Sequence, residues 1–303
     1  MIRQMARLKH KKKKPDTFRR GASVRELNCD QITWTIANLC QTANRYLPRD
    51  IGKALEQARQ CEESPAGKAV LDELIENASL AAEMNWPICQ DTGMAVVFAA
   101  IGQDLHIVGG NLEEAINRGV ALGYRDGYLR NSVVDDPLLR RNTGDNTPAV
   151  IHYRIVAGDN LDLTVAPKGF GSENMSAAAM LSPSEGMAGI RRFVLAAVEK
   201  AGPNPCPPVV IGLGLGGTLE KAALLAKQAL LLPVGQTSEK PHLAALEQEL
   251  LAAVNKLGIG PAGLGGRTTA LALHILSYPT HIAGLPVVLN MGCHATRHAH
   301  AIL

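Results

Sequence analysis

The chain has 303 residues, of which 46% are apolar and 19% charged. That is ample for a buried core and excludes wholesale disorder, or a need for disulfides or a structural metal in folding. No stretch reaches the ~18 uninterrupted apolar residues of a membrane span. With 4% aromatics, a nucleic-acid surface of stacked rings is not expected. The net charge of +3 hides two unlike parts: residues 1–21 hold nine Lys or Arg against one acid, Asp16, and the remainder holds 22 basic and 27 acidic residues. Residues 1–22 are expected to be a basic, solvated arm, and residues 23–303 one folded unit. The arm lacks the apolar core of a secretory signal, so the expected location is cytoplasmic, with neither membrane nor nucleic acid as a partner.

Apolar spacing predicts helices over residues 30–60, broken at Leu47-Pro48, and over residues 65–85, ending before Trp86-Pro87. Met94 to Ile101 reads as a strand. Asn111 to Tyr124 reads as a helix capped by Asn111, with Glu113 and Glu114 in its first turn. Ile151–Val156 and Leu161–Val165 alternate about Gly158 and predict a hairpin. A helix from Ser184 to Ala201, a buried strand from Pro207 to Leu213 and a helix from Thr218 to Leu232 follow. Further helices are expected over Leu243–Leu257 and Thr268–Tyr278, then a short strand over Leu285–Leu289. The class is α/β, mixed and helix-rich, with central sheet elements flanked by helices.

Three segments could carry chemistry. Gly212, Gly214 and Gly217 fit G-x-G-x-x-G between a strand and a helix, the setting of a dinucleotide pyrophosphate. However, no acid-terminated second strand follows about 20 residues on, so a tight strand–helix turn is the better reading. His294 and His298 have the i, i+4 spacing of a zinc-binding helix, but no acid lies between them. The six cysteines divide by context. Cys29, Cys40 and Cys61 lie in or beside helical patterns and are expected to be packed as small buried hydrophobes. Cys89, Cys206 and Cys293 lie in Pro- or Gly-punctuated loops. Prolines on both sides of Cys206 hold its sulfur with little entropy left to lose, and Gly292 lets the backbone pass close to a bulky group beside Cys293. Three thiolates can hold three corners of a [4Fe–4S] cube. One iron then stays open as a Lewis acid, although gaps of 117 and 87 residues are no local metal motif.

The segments Cys89-Gln90-Asp91-Thr92-Gly93, Lys168 to Asn174, Asn204 to Pro208, Gly214 to Thr218, and His281 to Pro286 followed by Cys293-His294 occur in this order. Together they resemble the class I, iron–sulfur fumarate hydratases, in their N-terminal half or alpha subunit. The L-tartrate dehydratase alpha subunit is the sister group. The resemblance spans about residues 30–300. It implies that Cys89, Cys206 and Cys293 hold a [4Fe–4S] cluster and that Gln90 and Asp91 contact a small dicarboxylate, with Asp91 a candidate in proton transfer. It further implies that Arg130 grips a substrate carboxylate, that Gly171 approaches the substrate through its backbone, and that His281 belongs to the substrate site. The implied activity is reversible hydration of fumarate to L-malate, a hydro-lyase reaction. The alternative is dehydration of L-tartrate or a related hydroxy-diacid. Phe170 stands where the family loop has a glycine, whereas Ser172-Glu173-Asn174 favours fumarase. The chain stops ten residues after Cys293. The family's further cations and catalytic base are therefore expected on a beta subunit, with a second alpha chain also in the assembly.

Overall fold

The computed structural model describes residues 24–303; the predicted basic arm lies outside them. The order is β1 (Arg25–Asn28), α1 (Cys29–Arg45), α2 (Arg49–Cys61), α3 (Pro65–Met84), β2 (Met94–Gly102), β3 (Leu105–Val108), α4 (Leu112–Asp126), β4 (Val150–Val156) and β5 (Leu161–Lys168). Then come a one-turn α5 (Phe170–Glu173), β6 (Ala177–Leu181), α6 (Gly186–Ala201), β7 (Val209–Gly216), α7 (Leu219–Ala229), α8 (Pro241–Asn255), β8 (Ala270–Tyr278), β9 (Leu285–Gly292) and β10 (Ala299–Ile302). This is the mixed, helix-rich α/β class expected. Asn111 caps α4 by accepting from the backbone N–H of Glu113 and Glu114. At the entrance to α6, Ser182 and Glu185 form a reciprocal capping box.

Two four-stranded sheets make the frame, in the orders β10-β5-β2-β4 and β6-β9-β7-β8. One face of the first packs on α1 and α4, burying Ile32, Ile36, Val97, Ile116, Leu161 and Leu163. The second sandwiches its odd-numbered β7 residues, Ile211 and Leu213, against Val194 of α6 and Leu250 of α8. Its opposite face carries α7.

Two expectations fail here for tertiary reasons. Residues 150–156 and 161–168 are strands but not a hairpin. β2 lies between them, parallel to β4 and antiparallel to β5, and the connecting loop crosses its end, where the Gly102 N–H donates to the Asn160 carbonyl at 2.8 Å. Residues 270–278, predicted as helix, form β8, parallel to β7. Their near-continuous Ala/Leu run suits a strand covered on both faces as well as it suits a helix, and the pairing partner decides.

The glycine run does not form a phosphate loop. Gly212 and Gly214 sit inside β7, and a Cβ on either would collide with the α7 backbone carbonyls of Ala226 and Ala222 respectively. They allow helix and strand to touch. Gly214→Ala is expected to cost about 3 kcal/mol, because the obstacle is backbone and cannot swing aside. Urea unfolding measures this, and a loss below about 1 kcal/mol would contradict it.

Candidate functional site

The site lies where the two sheets bring strand ends together. Met94, opening β2, pairs with Lys168, closing β5; Val210 of β7 pairs with Gly292, closing β9. Cys89 precedes β2, Cys206 precedes β7 and Cys293 follows β9, so three loops distant in sequence share one end of the frame.

The Cys89 loop is held from several sides. The Ile88 carbonyl accepts from Asn77 Nδ2 at 2.9 Å, and its N–H donates to the Asn44 carbonyl at 2.9 Å. Asp91 accepts from Gly93 N–H at 3.0 Å and from Phe170 N–H at 2.9 Å. Its carboxylate thus locks this loop to the α5 turn that carries Gly171. Gly93 has φ +76°, and a Cβ there would sit 2.7 Å from the Lys168 nitrogen, so only glycine allows the approach. Buried Thr92 donates to the Arg130 carbonyl at 3.0 Å. The Tyr124 hydroxyl, kept protonated by burial, donates to the Thr92 and Gly93 carbonyls at 2.8 and 3.0 Å.

Cys206 is exposed and left-handed at φ +56°, an unusual conformation for a residue with a side chain. Its neighbours impose it: the Ala262 N–H donates to the Pro207 carbonyl at 2.8 Å, and the His294 N–H donates to the Cys206 carbonyl at 3.2 Å. Burial pushes the Cys206 thiol up, and then Cys293, Cys89 and Asp91 each push it further. Burial also raises Cys293, Arg297 pulls it back, and Cys89 raises it again. The three sulfurs therefore lie within electrostatic reach of one another. Among the described residues, no three His, Cys, Asp or Glu side chains are placed to hold a single metal ion. Three loop thiols at one end of the frame are soft donors, the ligand type that an iron–sulfur group takes. Of the other cysteines, Cys29 and Cys40 are fully buried, the Cys40 thiol being pushed up to about 12 by burial. Cys61, expected to be packed, is instead exposed at the end of α2.

Under the α5 turn lies a charged network. Lys168 Nζ donates to Ser172 Oγ at 2.8 Å and pairs with Glu173 at 3.2 Å. Glu173 also takes Lys227 at 2.6 Å and Asn290 Nδ2 at 2.9 Å. Burial lowers Lys168 to about 8, and Glu173 offsets that only in part. Glu173, against burial, is pulled to about 2, first by Lys168 and then by the Lys227 and Asn290 hydrogen bonds. Glu173 is the more firmly held member of the pair, because it has three partners whereas Lys168 also feels repulsion from Lys227. A carboxyl whose folded pKa lies below its unfolded value of 4.5 stabilises fully above 4.5, and that stability is lost as pH falls toward about 2. The expected loss is on the order of 2 kcal/mol, allowing for a side chain that is 25% exposed. Urea midpoints of wild type and Glu173→Gln should differ above pH 4.5 and converge as pH falls toward 2; parallel profiles would contradict the assignment.

The other expected site residues divide. Gln90 is exposed beside Cys89 and accepts from its Sγ at 3.4 Å. Gly171 is exposed in the α5 turn. Arg130 is exposed, its backbone tied to Thr92, and its guanidinium makes no hydrogen bond or ion pair among the described residues. His281 is not brought to the thiols of its own chain. It lies beyond β8, at the opposite end of the second sheet, so the eight residues of β9 separate it from Cys293 by about 23 Å. There it lines an apolar pocket with Met187, Ile190, His242 and Leu285. The zinc helix does not form: residues 294–298 are turn and coil, and His294 Nδ1 lies 3.2 Å from the Cys206 carbonyl. Arg297, in the same segment, carries no sequence signal of its own as a site residue, since the histidines on either side have the spacing of a metal motif. It donates to the Asp91 carbonyl at 2.6 Å.

Loop thiols, an oriented carboxylate and an exposed arginine stand at one end of the two-sheet frame, and similarity to known proteins gives the class, hydro-lyase. A model of the family described as Fumarate hydratase (Fumerase) matches residues 33–302. The putative L(+)-tartrate dehydratase subunit alpha of Methanocaldococcus jannaschii is 42% identical over 277 residues, covering 89% of this chain and 96% of that one. The L(+)-tartrate dehydratase subunit alpha of Escherichia coli K12 is 31% identical over 271 residues, covering 88% and 89%. The chain belongs to the fumarate hydratase (Fumerase) family.

Proposed function

We propose that this chain is the alpha subunit of an iron–sulfur hydro-lyase whose main reaction is the reversible hydration of fumarate to L-malate. The observation that carries the reading is the convergence of Cys89, Cys206 and Cys293 from three strand ends onto the Asp91 loop and the α5 turn. These thiols would hold a [4Fe–4S] cluster. When bound, it supplies a Lewis acid for the substrate hydroxyl, a poor leaving group by itself. The chain's own residues do the rest of the positioning. The planar fork of Arg130 matches a carboxylate. Gln90 and the backbone at Gly171 would flank the substrate, and Asp91, oriented by two backbone N–H groups, would take part in moving the proton.

A dicarboxylate that develops carbanion character carries more negative charge than Arg130 balances, and unpaired charge in a closed site is costly. This supports a beta subunit that supplies further cations and the base, the pairing suggested by relatives named as alpha subunits. The place of His281 supports a second alpha chain, whose His281 would reach the site from outside. Tartrate dehydration is the second reading, favoured by the names of the same relatives. The test is an anaerobically reconstituted complex of this chain with a candidate beta subunit. It is assayed by ultraviolet absorbance for fumarate and by coupled detection of oxaloacetate from L(+)-tartrate. Malate is expected to exceed tartrate in kcat/KM by at least about 100-fold, ~2.7 kcal/mol, and the lone chain should be inactive. Turnover of tartrate equal to or above that of malate would move the assignment to a tartrate dehydratase.

A further inference from the structure

We propose that Arg297 is the built-in counter-charge of the thiol site: a buried guanidinium left without a carboxylate so that it neutralises the net negative charge of Cys89, Cys206 and Cys293 holding their cluster. This inference rests on the cluster reading above. Arg297 is 5% exposed. Its partners are the Asp91 carbonyl at 2.6 Å, Asn44 Oδ1 at 3.2 Å and the Ala295 carbonyl at 3.2 Å, all neutral oxygens. Among the described residues no carboxylate stands within ion-pair distance of it. The other deeply placed cations differ: Lys168 and Lys227 both pair with Glu173. A buried lysine can shed its proton, whereas an arginine stays charged. A buried arginine without an anion is therefore a standing cost unless a counter-ion arrives.

The neighbourhood names that counter-ion. Arg297 lies four residues beyond Cys293, on a turn fixed by Thr296, whose N–H and hydroxyl donate to the Cys293 carbonyl at 2.9 and 2.7 Å. Through the Asp91 carbonyl it also grips the loop of Cys89. Three thiolates outweigh the charge of an oxidised [4Fe–4S] core, so the loaded site is an anion. The cation beside it favours the added electron whenever the cluster is reduced. Arg297 is in this sense a positioning residue acting through two of the three thiol loops and through its field.

The experiment compares wild type, Arg297→Gln and Arg297→Lys after anaerobic reconstitution. Iron and sulfide content, the midpoint potential from an electron-paramagnetic-resonance redox titration, the rate of iron loss to a chelator, and melting with and without cluster are read. Arg297→Gln should shift the potential more negative and lose iron at least tenfold faster. Its loss of melting temperature should be larger with the cluster than without. Arg297→Lys should keep a potential close to wild type, because the anionic loaded site beside it holds the proton that a buried lysine without an anion would shed. A merely structural arginine would lower melting equally in both forms and leave the potential alone; either result for Arg297→Gln overturns the inference. If Arg297→Gln does not fold, Arg297→Lys decides, and a potential far from wild type refutes the counter-charge. A wild type that takes up no iron overturns the cluster reading itself, which is distinct from a loaded wild type matched by Arg297→Gln.

Discussion

Cys206→Ser is expected to abolish iron and sulfide retention and all turnover while leaving the fold intact. Cys206 is exposed, so its hydroxyl substitute leaves no cavity and no buried orphan. Its backbone conformation is imposed by Pro203, Pro207 and His294, whose hydrogen bonds to this turn use main-chain atoms that serine retains. What is lost is one of three soft donors, and an alcohol does not replace a thiolate on iron. Cys61→Ser is the matched control. Cys61 is also exposed, but it ends α2 and lies on none of the three loops that carry Cys89, Cys206 and Cys293. Metal analysis after anaerobic reconstitution separates the two. Full iron in Cys206→Ser, or loss of iron in Cys61→Ser, would refute the ligand assignment, and unchanged melting of the cluster-free proteins confirms that folding is not the cause.

The largest expected effect on stability comes from a residue that touches no substrate. Glu62 is 1% exposed. Its two oxygens accept backbone N–H groups of Glu63 at 2.9 Å, Ser64 at 3.1 Å, Arg267 at 2.8 and 2.9 Å, and Thr268 at 2.9 Å. Burial pushes this carboxyl up, yet the four donors together hold it below the ordinary value. It thereby closes the end of α2 and anchors residues 260–268, the segment whose Ala262 grips Pro207 beside Cys206. Glu62→Ala removes every acceptor at once and strands buried donors, so about 4 kcal/mol of stability should go. Glu62→Gln keeps the shape but turns one acceptor into a donor among donors, for about 2 kcal/mol. Urea denaturation measures both. A loss below about 1 kcal/mol in Glu62→Ala would mean that the 260–268 segment holds itself. Reduced cluster uptake by a folded Glu62→Gln would report the path from this carboxylate to Cys206.

Local chemistry carried much of this chain. Apolar spacing and the proline stops located α1, α2, α3, α4, α6, α7 and α8, and Asn111 marked the start of α4. Pro and Gly around Cys206 and Cys293, against the helical surroundings of Cys29 and Cys40, separated loop thiols from packed ones, since those residues restrict the chain at the position itself. Pairing was not legible. β4 and β5 read as neighbours because a turn joins them, yet the strand that fits between them, β2, comes from some fifty residues earlier. The run at 270–278 is equally apolar as helix or strand, and only the exposed edge of β7 makes it a strand.

In the site, residue types that bear chemistry announced themselves, whereas residues that work through charge balance did not. Glu62, Glu173 and Arg297 look like any charged residue in the sequence; what distinguishes them is burial and the identity of their partners, which arise only when distant segments meet. His281 marks the same limit from the other side. Its type and its distance along the chain from Cys293 suit a shared site, but the eight residues of β9 lie between them. Sequence separation does not bound separation in space, and the intervening strand, rigid through its pairing with β6 and β7, puts the histidine at the far end of the sheet.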